Sequence, residues 1–122
     1  MMKANFLHIV HPDVEKAQND VDYLYQVIKV IHGFFPRGYI ELNTLVFRLY
    51  GARHGKTMER LRAAGVDVDT PIVMKWDAEG AAVLLNKVLF PLAFIARGSE
   101  NLSIAKYDKA YTRFILHQEE VS

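Results

Sequence analysis

The chain contains no cysteine, which excludes disulfide frameworks, thiolate metal sites and cysteine nucleophiles. Serine is scarce: Ser99, Ser103 and Ser122 are the only three, and no Gly-x-Ser-x-Gly elbow occurs, so a serine nucleophile is not expected. Asn-Gly and Asp-Gly hairpin signals are also missing. Because the absence of cysteine suits a reducing compartment, we expect a cytoplasmic protein, with no metal and no cofactor.

A long hydrophobic run is missing as well. The most apolar stretch, residues 81–96, reads AAVLLNKVLFPLAFIA and carries Asn86, Lys87 and Pro91. A membrane-spanning helix needs about 20 predominantly apolar residues. Residues 4–10 form a second apolar run, which His8 interrupts and which is too short for a secretory signal. We therefore expect no membrane association, and we interpret residues 81–96 as a helix that is buried or faces another copy in an oligomer.

What the sequence does contain is enough apolar material for one core. Hydrophobic residues make up 51% of 122 residues and charged residues 24%, values typical of one folded domain spanning residues 1–122. The net charge of +1 indicates no partner by itself. Its distribution is more informative, because residues 13–22 and 67–79 are acidic whereas residues 48–62 are basic.

Apolar periodicity predicts three long helices. The first begins at Asp13, which can act as a cap, and ends at Gly33. The second begins at Asp77 and ends near Ala96, with a bend or break at Pro91. The third spans about 103–118. The apolar stripes are Val14, Ala17, Val21, Leu24, Ile28 and Ile31 in the first helix, and Ile104, Tyr107, Tyr111, Phe114 and Ile115 in the last.

The middle of the chain is less decisive. Residues 39–50 follow a helical period despite many β-branched and aromatic residues, and residues 56–64 predict a short helix ended by Gly65. Thr70 and Pro71 suit the start of a helix, although residues 67–76 also suit a strand. The prediction is a mainly α fold, a compact bundle of about five helices with room for one short N-terminal strand. The alternative is an α+β fold with a small sheet built from residues 4–10, 39–50 and 67–76.

Residues 50–62, YGARHGKTMERLR, resemble a phosphate-binding loop. Such a loop has four residues between its first glycine and the Gly-Lys pair, because the backbone amides must curl around a phosphate. Here three residues separate Gly51 from Gly55, and the preceding segment has a helical period. A small phosphate- or nucleotide-binding enzyme or sensor that uses Gly55, Lys56 and Thr57 is therefore the alternative, not the leading, hypothesis.

The same stretch is rich in positive charge. Lys56 and Arg60 share one face of a helix, and a helix amino terminus favours anions. Two basic rows arise, and they form one anion-binding surface if the fold brings them together. The first is Arg53, His54, Lys56, Arg60 and Arg62, and the second is Lys106, Lys109 and Arg113.

A helix-turn-helix can also be drawn, with residues 58–65 as the first helix and residues 70–77 as the second. The second segment carries one lysine and is flanked by Asp69 and Asp77, which repel phosphate. His8 and His11 are three residues apart, but Pro12 opposes the helix that would bring them onto one metal. Neither pattern is preferred over ordinary turns and solvated charges.

Because no catalytic constellation stands out, the leading hypothesis is a non-enzymatic intracellular binding or regulatory module. It would contact a macromolecular partner, either nucleic acid or an acidic protein surface, through the basic corner at residues 53–62. A further alternative is a structural subunit that forms homo-oligomers through residues 81–96.

Overall fold

The structure, a computed structural model, describes residues 14, 16–97 and 102–121. The first described helix, α1, spans Asp20–Phe34, later than the start predicted near Asp13, which lies outside the described residues. The side chain of Asn19 caps it by accepting a hydrogen bond from the amide of Asp22 at 2.8 Å. The predicted helix is therefore not continuous: Val14 is helical and buried as the stripe predicts, residues 16–19 are not helical, and Asn19 caps a new helix.

Two short strands flank the central helices. β1, Tyr39–Ile40, pairs antiparallel with β2, Ile72–Val73, in the register Tyr39 with Val73 and Ile40 with Ile72. Ile40 and Ile72 are buried, whereas Tyr39 and Val73 are exposed, which is the alternation of a strand. The helix drawn over residues 70–77 is therefore wrong, and with it the helix-turn-helix. The predicted strand at residues 4–10 lies outside the described residues.

Two helices form the basic corner. α2 spans Leu42–Tyr50 and ends at Gly51, whose φ of 57° suits glycine. A 3₁₀ turn at Gly51–Arg53 leads directly into α3, His54–Ala63, which begins two residues before the predicted start. α3 ends in a Schellman motif, in which Gly65 has a φ of 88° and the amide of Val66 donates to the carbonyl of Leu61.

The helix α4 contains a change of helical type. It comprises α-helical segments at Ala78–Leu84 and Phe90–Arg97, joined by a π-helical turn at Leu85–Leu89. The predicted start at Asp77 is confirmed, and Asp77 caps the helix because its side chain accepts from the amide of Gly80 at 2.9 Å. The predicted break at Pro91 does not occur, because the helix continues through Pro91 to Arg97; a π-helical turn precedes Pro91, which lacks the amide that would bond to residue 87.

Part of the apolar surface of α4 is buried in the core, and part of it is exposed. By length and composition alone, residues 78–95 pass as a candidate membrane span, with a mean hydropathy of 1.6 and 39% of the window buried. Core helices pass the same test. Leu84, Val88 and Leu92 are among its buried side chains, whereas Phe94 is 62% exposed.

The last helix, α5, spans Ile104–Val121 and supplies much of the core. Tyr107 and Phe114 are buried as predicted, but Ile104 is 61% exposed, because it is the first residue of the helix and precedes the turn where Tyr107 meets α4. The Tyr107 hydroxyl donates to the carbonyl of Ala81 at 2.8 Å, and that of Tyr111 donates to the carbonyl of Asp77 at 3.1 Å. These bonds hold α5 against the start of α4.

The described part of the chain is thus mainly α with one small antiparallel sheet. This agrees with the predicted mainly α class and with the small sheet of the alternative. α1 packs extensively on α5, while α3 packs on α2 and α4. The core between them consists of aliphatic residues from every helix, together with the aromatic side chains of α5.

Candidate interaction surface

Two cations of the first basic row have no counter-charge among the residues that the structure describes. Arg53 lies at the end of the 3₁₀ turn and Lys56 in the first turn of α3, and both are exposed. Within the described residues, neither side chain takes part in an ion pair or a side-chain hydrogen bond. Charges left in this state are available to an anionic partner without breaking an internal contact.

His54 belongs to the structure that holds this corner in place. Its Nε2 lies 2.6 Å from the side-chain oxygen of Asn43 on α2. Its ring meets Phe47 edge to face, with centroids 5.7 Å apart, and Phe47 is 55% exposed. We define the corner surface as Phe47, Arg53, His54 and Lys56. It combines an exposed aromatic ring and an arginine, two residue types that are enriched at interfaces, with a lysine and a histidine.

Arg60 and Arg62 differ from the first two cations, because each has a partner. The guanidinium of Arg60 donates to the carbonyl of Ile95 near the end of α4 at 3.0 Å. Arg62 forms an ion pair with Asp69 at 3.4 Å. Two residues on a helix are separated by about 200° around its axis, so Arg60 and Arg62 leave α3 on opposite sides. The predicted five-residue cluster is therefore split.

The second basic row mainly joins helices. Lys106 forms an ion pair with Asp20 at 2.8 Å, and Arg113 pairs with Asp22 at 3.3 Å. The Arg113 guanidinium also lies 3.8 Å from the ring centre of Tyr25. These contacts join α5 to the acidic first turn of α1. Lys109, the third member, is exposed beside a shallow polar recess lined by the start of α1 and by α5.

The structure does not merge the two rows into one surface. α3 packs against α2 and α4, whereas the basic face of α5 engages α1. Sequence spacing revealed both rows, but it did not reveal which of their members the acidic first turn of α1 would neutralise.

Gly55, Lys56 and Thr57 occupy the first turns of α3 and do not form an open loop. The segment before them is α2 and a 3₁₀ turn, where a phosphate-binding loop follows a strand. The amide of His54 already donates to the carbonyl of Gly51. This geometry does not provide the curled ring of amides that surrounds a phosphate in a P-loop.

An apolar groove that sequence reasoning missed lies at the other end of α3. It has a volume of about 480 Å³ and is bounded by the end of α3, by the second half of α4 and by Leu102, two residues before α5. We call it the α3–α4 groove. Its apolar walls are Ala64, Val66, Phe90, Phe94, Ile95 and Leu102. The sequence contains one signal for this groove. Phe90 and Phe94 are four residues apart on α4, on either side of Pro91, and Phe94 lies outside the core.

The perturbed titratable groups lie mainly in the core. Burial raises the pKa of the hydroxyls of Tyr50, Tyr107 and Tyr111. Burial lowers the pKa of His32, whose ring packs edge to face on Trp76 at 4.9 Å and on Phe114 at 5.2 Å. The rings of His32, Tyr107 and Tyr111 pack between α5 and its neighbours, so we assign these three residues structural roles.

One perturbed carboxyl group lies in a loop. The pKa of Asp67 is lowered, first by the side chain of Thr70 and then by the amides of Thr70 and Asp69, which marks a hydrogen-bonded turn. In residues 14, 16–97 and 102–121, no three side chains of histidine, cysteine or acids gather in a way that could hold a metal. His8 and His11 lie outside those residues.

Comparisons with models of protein families, with curated proteins and with solved structures find no match to this chain. Function therefore has to be argued from the residues of the corner surface and the groove.

Proposed function

We propose that this chain is a non-enzymatic binding module that contacts an acidic protein surface through the corner surface. The observation that carries the proposal is the pair of exposed cations, Arg53 and Lys56, which have no counter-charge in the described part of the chain. The neighbouring ring of Phe47 supplies apolar area that a protein partner can cover.

The number of available charges favours an acidic protein over nucleic acid. Proteins that bind duplexes through phosphates use about 6–10 contacts, and each neutralised phosphate contributes through counterion release. Here Arg62, Lys106 and Arg113 already pair with carboxylates. The two uncompensated cations of the corner surface, together with Arg60 further along α3, are fewer than such a set of phosphate contacts, but they are sufficient to orient a small set of carboxylates across a partly apolar interface.

The test compares two anionic probes, labelled polyglutamate and a labelled single-stranded oligothymidylate of similar length, by fluorescence anisotropy. The corner variant is Arg53→Glu with Lys56→Glu. The control is Lys75→Glu with Lys87→Glu, which changes two exposed lysines elsewhere and alters the net charge equally. We expect the corner variant to weaken polyglutamate binding by about tenfold, equivalent to about 1.4 kcal/mol, and the control to change it little.

Several results contradict the proposal. Equal losses in both variants would show that net charge alone attracts the probe. Tighter, corner-dependent binding of the oligothymidylate would assign the partner to nucleic acid. Binding of neither probe at about 50 mM salt, where surface electrostatics are strong, would remove the corner as an anion-binding surface. Circular-dichroism melts of all variants ensure that losses come from binding and not from unfolding.

A further inference from the structure

The α3–α4 groove has the size and lining of a site for large side chains. Its volume of about 480 Å³ falls within the range of ligand-binding pockets, and one polar side chain, Asn86, joins its apolar walls. Phe94 on its wall is 62% exposed. Covering a side chain of this size removes apolar surface from water, which is the main favourable contribution to association.

Basic residues lie on the side of α3 that ends at this groove. Arg53, Lys56, Arg60 and Ala64 follow one another along α3 at spacings of three and four residues, which places them along one side of the helix. Ala64 is part of the groove wall. At a rise of about 1.5 Å per residue, Lys56 lies about 12 Å from Ala64 along the axis. Positive charge and apolar recess are therefore neighbouring parts of one strip.

Arg60 connects the two parts. Its bond to the carbonyl of Ile95, 3.0 Å long, places the guanidinium beside the groove, because Ile95 is one of the wall residues. A guanidinium has five N–H donors, and this bond uses one of them. No carboxylate in the described residues lies within ion-pair distance of Arg60. Its remaining donors are available to a carboxylate that approaches beside the apolar wall.

We propose that the groove receives a large apolar side chain from an amphipathic helix of the partner, while acidic residues of that helix face Lys56 and Arg60. This inference rests on the proposed function and adds the chemistry of the partner segment. A strip of charge and recess extending over about 16 Å from Arg53 to Ala64 matches the length of a three-turn helix. A single small amphiphile or one lipid headgroup does not span it.

The experiment uses the full chain and a displayed library of helical peptides with randomised surface positions. Selected peptides are then measured by anisotropy against four proteins. Ala64→Phe fills the groove, and Ala63→Phe makes the same change at the neighbouring exposed alanine, which is not part of the wall. Wild type and the Arg53→Glu, Lys56→Glu variant complete the set.

We expect the selected peptides to carry an acidic residue about two turns from a leucine, phenylalanine or tryptophan. Ala64→Phe should weaken their binding by about tenfold or more, whereas Ala63→Phe should leave it within about twofold. If Ala64→Phe proves poorly folded, Phe94→Ala removes part of the wall at an exposed position and should give a loss of the same direction.

The outcomes separate this inference from the proposed function. Loss with the corner variant but not with Ala64→Phe or Phe94→Ala overturns the groove and retains the acidic partner. Loss with the groove variants alone overturns the acidic part of both proposals. Failure to enrich any peptide above a library of unstructured sequences overturns the helical partner. A dimer in light scattering that Ala64→Phe dissociates would show that a second copy occupies the groove.

Discussion

Substitution of Gly80 by alanine is expected to destabilise the protein, although helix propensity alone predicts that it stabilises α4. Gly80 lies buried in the first turn of α4. A Cβ added there would overlap the carbonyl oxygen of Lys75 and lie 2.6 Å from its carbonyl carbon. Gly33, near the end of α1, has no atom within 4 Å of an added Cβ. Propensity alone predicts that alanine stabilises either helix by up to about 1 kcal/mol.

The expected cost at Gly80 follows from what must move. Relieving the overlap displaces the turn from Lys75 to Asp77, and with it the cap bond from the Gly80 amide to Asp77. The same turn carries the bond from the Trp76 indole to the carbonyl of Phe35, 3.2 Å long. A lost cap costs about 1 kcal/mol and a lost hydrogen bond about 1 kcal/mol more. Including overpacking and the propensity gain, Gly80→Ala should destabilise the chain by about 2–3 kcal/mol.

Urea and thermal denaturation followed by circular dichroism provide the measurement. For a chain of this size, a loss of about 2–3 kcal/mol lowers Tm by roughly 10 °C. Gly33→Ala is the matched control and should leave Tm unchanged or raise it by a few degrees. If Gly80→Ala stabilises the protein as much as Gly33→Ala does, the close approach of Lys75 to α4 is not present in solution, and the reasoning fails.

Two further effects are expected. Because the pKa of His32 is lowered in the fold, the unfolded state binds its proton more readily; stability is therefore full above the unfolded pKa near 6.5 and decreases as the pH falls below it. His32→Gln should thus lose less in Tm between about pH 7 and pH 5 than wild type, and equal losses would rule out this histidine. Tyr107→Phe deletes the bond to Ala81 and should lower the free energy of unfolding by about 1 kcal/mol, while an unchanged value would mean that the carbonyl finds another donor.

The sequence predicted those elements whose local signals agree with their packing. Asp77 has both the capping side chain and the apolar period behind it, and the cap is present. The buried stripe of α5 has aromatic residues at a strict helical spacing, and Tyr107 and Phe114 are in the core. The interruption before α1 was not predicted, because Asp13 and Asn19 are both good caps. Local chemistry alone could not decide between them.

The candidate surface was less predictable, because it depends on distant partners. Arg113 and Arg53 look alike in sequence, yet the former pairs with Asp22, ninety-one residues away, and stacks on Tyr25. Residues 67–76 suit both a helix that begins at Pro71 and a strand, and β2 forms because pairing with β1 buries Ile72. The groove required knowledge of how the end of α3 meets α4, which no single segment encodes.

The π-helical turn at Leu85–Leu89 has a consequence for variation in chain length. Such a turn accommodates one more residue than an α-helical turn does, while the flanking segments keep their mutual orientation. A deletion of Asn86 would therefore yield a continuous α-helix in which Leu92 still faces the core and Phe94 still borders the groove. The same deletion a few residues later would rotate everything beyond it by about 100° and expose Leu92. A one-residue deletion in this turn is therefore expected to keep the second half of α4 in place, while the groove loses Asn86, the polar side chain of its wall.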